Sequence, residues 1–155
     1  MNWFRRDRGR PLTPGECALA ADMFGAALEP NAVRVHREKW WPFQPRNVVM
    51  APGGGIWFHP YGQLWRDDYA TAHVRLQALF VHELTHIWQH QNGLFLPLRR
   101  HPFCRYDYAI VPGRPLRRYG IEQQAMIVEH AFVARRAGQA DPVLDRILKD
   151  AGLNG

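Results

Sequence analysis

Over residues 71–92, apolar side chains occur on almost every side of a helix. Leu76, Leu79, Phe80, Val81, Leu84, Ile87 and Trp88 cover most of its circumference, which marks a helix buried in the middle of a domain. Gly93 supplies its stop. Upstream, Thr13, Pro14 and Glu16 have the spacing of an N-cap, a first-turn proline and the returning acid of a capping box. Ala18, Leu19, Ala21, Met23 and Phe24 carry that helix to about Gly25. Downstream, Ile121, Ala125, Val128 and Phe132 form one stripe of a helix over residues 120–136. Asp141 and Pro142 then open a short terminal helix with Leu144, Ile147 and Leu148 on its apolar face.

The remaining pattern is extended. Residues 32–36 alternate apolar and polar as a short strand does, and 48–50 and 56–58 read as two strands joined by the glycine-rich turn "APGGG". Pro42, Pro45 and Pro52 exclude helix from this unit. The three glycines are not a phosphate loop, because no Gly-Lys-Ser/Thr follows and no helix opens there. The class predicted is α+β: a small antiparallel sheet packed on two central helices. Residues 1–12 read as a basic flexible arm and 13–155 as a single domain.

Composition narrows this further. The chain has 155 residues, 46% of them hydrophobic and 22% charged, the balance of a globular domain. No apolar run approaches the roughly 20 residues of a spanning helix, so no membrane partner is expected. The arginine-bearing N-terminus lacks an apolar signal region. A cytoplasmic location follows as the expectation, with export by a specialised secretion system compatible with it. Cys17 and Cys104 are isolated in sequence and read as reduced thiols. The net charge is +6, but the basic residues are scattered. Their densest groups, Arg5, Arg6, Arg8 and Arg10, then Arg99 and Arg100 with Arg114, Arg117 and Arg118, form no nucleic-acid-binding module. No specific nucleic-acid partner is expected.

The chemistry lies in the buried helix. "HELTH" places His82 and His86 four residues apart, one above the other on one face. Both imidazoles can therefore reach one zinc ion. Glu83 points about 100° around the helix, beside such an ion and not onto it. There it can take a proton from an activated water attacking a carbonyl and return it to the leaving amine. A catalytic zinc needs a third protein ligand. The extended motif H-E-x-x-H-x-x-G-x-x-H is excluded, since Gln89 and Asn92 stand at its glycine and third-histidine positions. His90 lies one further turn along, and the helix drifts about 40° every four residues, which places it outside the ligand set. Glu122, Glu129 and His130 on the later helix remain. Glu122 is favoured because it sits in the first turn, where an anion suits the helix dipole. Tyr106, Tyr108 and Tyr119 are candidates to stabilise an oxyanion. The strand "GIWFHP" is a candidate edge for an extended peptide.

The motif H-E-L-T-H followed by a later E-x-x-A segment resembles the gluzincin zinc metallopeptidases in a minimal form. The longer likeness is to bacterial Vgr-related proteins and to the metallopeptidase-like domains of contractile injection systems. "RPLTPGE", "WWPFQPR", "LWRDDYA", "HELTHIWQHQ", "LPLRRHPFCRYDY" and "YGIEQQA" carry it. The resemblance implies a zincin-like fold, with Zn2+ held by His82, His86 and Glu122 and Glu83 as general base. It implies a protein or peptide substrate and a link to the proteins of a type VI secretion apparatus. A catalytically idle, zinc-stabilised adaptor of such an apparatus is the alternative. One position departs from the larger gluzincins: where they carry an acid that orients a metal histidine, four residues after the glutamate ligand, this chain has Met126.

Overall fold

The structure, a computed structural model, describes residues 8–94 and 106–154. Helix α1 spans Pro14–Phe24 and opens as the sequence predicts, with the Thr13 hydroxyl accepting from the Glu16 N–H and the Glu16 carboxylate accepting from the Thr13 N–H. Strand β1 is Arg34–His36 and β2 is Gly55–Trp57. Helix α2 is Val74–Gln91, α3 is Ile121–Arg136 and α4 is Pro142–Asp150. Among the described residues no helix is long and apolar enough to cross a membrane.

Helix α2 begins later than residue 71. Asp68 caps a short 3-10 turn over Tyr69–Thr71, Ala72 is extended, and the His73 ring accepts from the Arg75 N–H as the cap of α2 itself. From Phe80 to Gln89 every residue of α2 is buried. Its broadest contact is with α3, whose predicted stripe Ile121, Ala125, Val128 and Phe132 is buried throughout. Phe58, Tyr69 and Phe80 stack in series, with ring centroids 5.1 and 4.9 Å apart, and so bind the strand region to α2. Asp141 caps α4 through the N–H groups of Val143 and Leu144, and Arg135 joins α3 to α4 through Asp145 at 2.8 Å.

The fold is α+β, but one expectation about it needs correction. The sheet is not antiparallel: β1 and β2 pair in parallel, Val35 opposite Ile56. Antiparallel pairing survives as single bridges on the two outer edges, Arg10 to Val35 and Met50 to Trp57. The expected strand over 48–50 is diverted by local bonding. The Val48 N–H donates to the Pro45 carbonyl, and the Val48 carbonyl accepts from the buried Gln44 amide. Only Met50 is left to close the glycine turn as a hairpin.

The described end of the segment expected as an arm is packed against the domain. Arg10 exchanges both backbone bonds with Val35 at 2.8 Å, Leu12 is buried, and the Arg10 guanidinium grips the buried Glu16 carboxylate through two bonds of 2.8 Å. Arg10 and Leu12 are therefore packed, while residues 1–7 lie outside the described residues. Arg5, Arg6, Arg99, Arg100 and Cys104 lie outside the described residues; Cys17 is a free thiol, partly buried against the core.

Candidate metal centre

The α2–α3 interface sets polar side chains among apolar ones. His82, Glu83 and His86 are 7%, 5% and 0% exposed, and Glu122, in the first turn of α3, is 2% exposed. His82 Nε2 lies 3.1 Å from Glu122 Oε2, and His86 Nε2 lies 3.1 Å from Oε1 and 3.2 Å from Oε2. His82, His86 and Glu122 can thus hold one metal ion, their ligand atoms all falling within 4.8 Å of one another.

The far side of each imidazole is also held. His82 Nδ1 is 3.0 Å from Glu129 Oε2, and His86 Nδ1 is 2.8 Å from Gln89 Oε1. The Gln89 amide is oriented by its own donations from Nε2, 2.9 Å to the Ile121 carbonyl and 3.1 Å to Gln124 Oε1. Its oxygen therefore faces His86 and accepts from Nδ1–H. A carboxylate at His82 Nδ1 likewise takes an N–H. Both Nε2 lone pairs are thereby aimed at the Glu122 carboxylate.

That arrangement tests the fit of a metal. Two acceptors do not attract each other at 3.1–3.2 Å, so each contact needs a cation, a proton or a metal, between its partners. Ligands about 2.0–2.1 Å from a tetrahedral zinc stand about 3.3–3.4 Å apart, close to the spacing seen. The nitrogen, nitrogen and carboxylate donor set suits zinc. In the metal-free chain a proton serves instead. Burial lowers the His82 pKa, but hydrogen bonds to Glu122 and Glu129, with the charges of Glu83 and Glu122, overcome it and hold the pKa at about 10.

The other candidates separate cleanly. Glu129 stands behind His82, on Nδ1, outside the converging group. His130 is exposed and bonds the Tyr108 hydroxyl at 2.6 Å, while His90 is exposed at the end of α2. Tyr119 is buried, with its hydroxyl accepting from the Val111 N–H. Burial, with the nearby charges of Asp141 and Glu129, raises the Tyr108 pKa. Of the three tyrosines, Tyr106 has its ring against the site, 6.2 Å from the His82 ring and inclined by 19° to it. The strand edge proposed for a peptide is taken up at Trp57, whose N–H and carbonyl both pair with Met50. Of the central arginines, Arg114 lies over the Tyr119 ring and Arg117 over the Trp88 ring.

Sequence reasoning passed over Gln89, using it only to exclude the longer motif. Its signal was present: a polar residue three positions after His86, on the same face of a helix otherwise closed to water.

No protein-family model matches the chain. It is 37% identical over 139 residues to the type VI secretion system spike protein VgrG2b of Pseudomonas aeruginosa, an alignment covering 83% of this chain. The chain spans only 13% of that spike protein's length. Among solved structures it superimposes on the effector domain of Pseudomonas aeruginosa VgrG2b with a TM-score of 0.79 and 33% identity. That match covers 95% of this chain and 84% of the other.

Proposed function

Since the chain belongs to the family of the VgrG2b effector domain, we propose that it is a zinc-dependent peptidase of the gluzincin type acting as a type VI secretion effector. In this reading His82, His86 and Glu122 are the metal ligands and Glu83 is the general base. The observation that carries the reading is the buried convergence of both Nε2 atoms on the Glu122 carboxylate, with each ring fixed from behind by Glu129 or Gln89. A structural salt bridge would not need both tautomers set in this way. Outer partners of this kind orient metal histidines and strengthen their donation. Glu129 takes the place of the acid missing at Met126: it lies two turns beyond Glu122, on the same face of α3.

A zinc ion in such a site acts as a Lewis acid toward a carbonyl and brings the acidity of water toward neutrality. The residues supply the rest. Glu83 follows His82 in the stretch of α2 that is buried throughout, and its carboxylate is near enough to act on the His82 proton. It takes the proton of the attacking water and delivers it to the leaving amine. In this reading Tyr106, whose ring lies against that of His82, is the tyrosine that donates to the developing oxyanion. The substrate class is a protein or peptide, and the partners before delivery are proteins of the secretion apparatus.

The test is Glu83→Gln. It should retain stoichiometric zinc and the melting temperature of the parent while cleavage of an unfolded protein substrate falls by roughly 10²–10⁴-fold. Undiminished cleavage would remove Glu83 as the base. Zinc-loaded parent protein that cuts no unfolded protein or peptide library would favour the idle adaptor.

A further inference from the structure

We propose that the loop over residues 37–48, with Tyr61 beside it, is a contact surface for an anionic lipid bilayer. Phe43 is 78% exposed, Tyr61 77%, Trp41 43% and Trp40 40%. Single exposed apolar residues need no account, but these are gathered together. The Trp41 and Phe43 rings meet edge-on at 5.6 Å, and the His59 and Tyr61 rings lie 5.9 Å apart. The turn carrying Tyr61 abuts the loop: a Cβ on Gly62 would come within 2.2 Å of the Arg46 carbonyl oxygen.

The loop is built to hold its aromatic side chains outward. Gln44, only 3% exposed, sits inside it. Its Oε1 accepts from the Trp40 N–H at 2.8 Å, and its Nε2 donates to the carbonyls of Val48 at 2.8 Å and Trp57 at 3.0 Å. Lys39 Nζ adds a bond to the Pro42 carbonyl at 3.1 Å. The buried side chain at the centre is thus an amide, while tryptophan and phenylalanine face solvent, the reverse of what core formation favours.

Charge selects the partner. Arg37, Lys39 and Arg46 are exposed, and Glu38 is the only acid between residues 37 and 48. Lys39 and Arg46 both lie close to His59, whose pKa is lowered by desolvation and by these two cations. Tryptophan and tyrosine rings settle at the headgroup level of a bilayer, and nearby lysine and arginine bind anionic phosphates. Protruding tips such as Phe43 and Tyr61 suit a deformable apolar layer, whereas a protein partner would need a matching concavity. That no helix among the described residues is long and apolar enough to cross a membrane bears on crossing one and not on lying against it.

The experiment uses the full chain and vesicles of phosphatidylglycerol or of phosphatidylcholine at about 0.1 M salt, where surface charges more than ~10 Å apart are screened. The protein should float with the anionic vesicles and not the neutral ones. Brominated acyl chains should quench its tryptophan fluorescence, and Trp41→Phe should remove much of that quenching. Phe43→Ser combined with Tyr61→Ser, and separately Lys39→Glu combined with Arg46→Glu, should each weaken partition by about tenfold or more. Zinc content and circular dichroism should stay those of the parent. Failure to float with anionic vesicles would overturn the proposal. So would binding that survives the Phe43 and Tyr61 changes. Capture of this loop by a purified apparatus protein, with vesicles ignored, would assign the surface to a protein instead.

Discussion

At the scale of single residues, the site is defined as much by what stands behind the histidines as by what faces them. Glu129 fixes His82 through Nδ1, and Gln89 fixes His86 in the same way. Glu129→Ala would leave His82 free to rotate and to change tautomer. Zinc affinity should then fall by about 10–100-fold, the usual cost of losing such a partner, without loss of the fold. Competition against a chromophoric chelator measures this, and an unchanged affinity would contradict the role. Protons give a second prediction. With its pKa held at about 10 in the metal-free chain, against 6.5 normally, His82 is protonated at neutral pH and must lose that proton to ligate. Zinc uptake near pH 7 should release about one proton from this residue. Calorimetry in two buffers of different ionisation enthalpy reads that number, and zero release would contradict it. The sign for the metal-free fold follows from the raised pKa. The contribution of the His82 proton to stability is fully present below pH 6.5 and is lost as pH rises through about 10.

At the scale of elements, the helices were legible and the sheet was not. Helix α1 has a capping box written in three residues, and α2 and α3 announce themselves by apolar periodicity. The pairing of β1 with β2 has no such local signature. Each strand is three residues long, and their direction is set by the loop pinned on Gln44, whose side-chain bonds no hydropathy pattern reports. Arginine content likewise concealed the role of Arg10, which reads as solvated but is bound to the fully buried Glu16. Glu16 is also tied to the N–H groups of Thr13 and Tyr69, so α1, β1 and the segment before α2 share one carboxylate. Arg10→Ala should therefore destabilise the domain by about 2–3 kcal/mol in urea denaturation. That is less than the 3–5 typical of a fully buried pair, because Arg10 is partly exposed. A loss under about 0.5 kcal/mol would restore the view of this segment as a loose arm.

Across the whole molecule, the candidate centre lies where the two most buried helices meet, and it draws on both. Helix α2 contributes His82, Glu83 and His86, while α3 contributes Glu122 and the supporting Glu129. Half of this was legible as the motif on α2. The preference for Glu122 over Glu129 and His130 rested in the sequence on the helix dipole alone, because the choice depends on how α3 is set against α2, and spacing along one helix cannot give that. Gln89 fixes it by bonding the Ile121 carbonyl at the start of α3, which holds Glu122 opposite the histidine pair. In the proposed function His82, His86 and Glu122 bind a catalytic metal with one position left open beside Glu83. An anomalous difference map at the zinc edge, from crystals of the zinc-loaded domain, tests it most directly. A single peak bonded to His82 Nε2, His86 Nε2 and the Glu122 carboxylate, with water as the fourth ligand on the Glu83 side, is the result expected. A peak elsewhere, or one closed by a fourth protein ligand, would contradict the account.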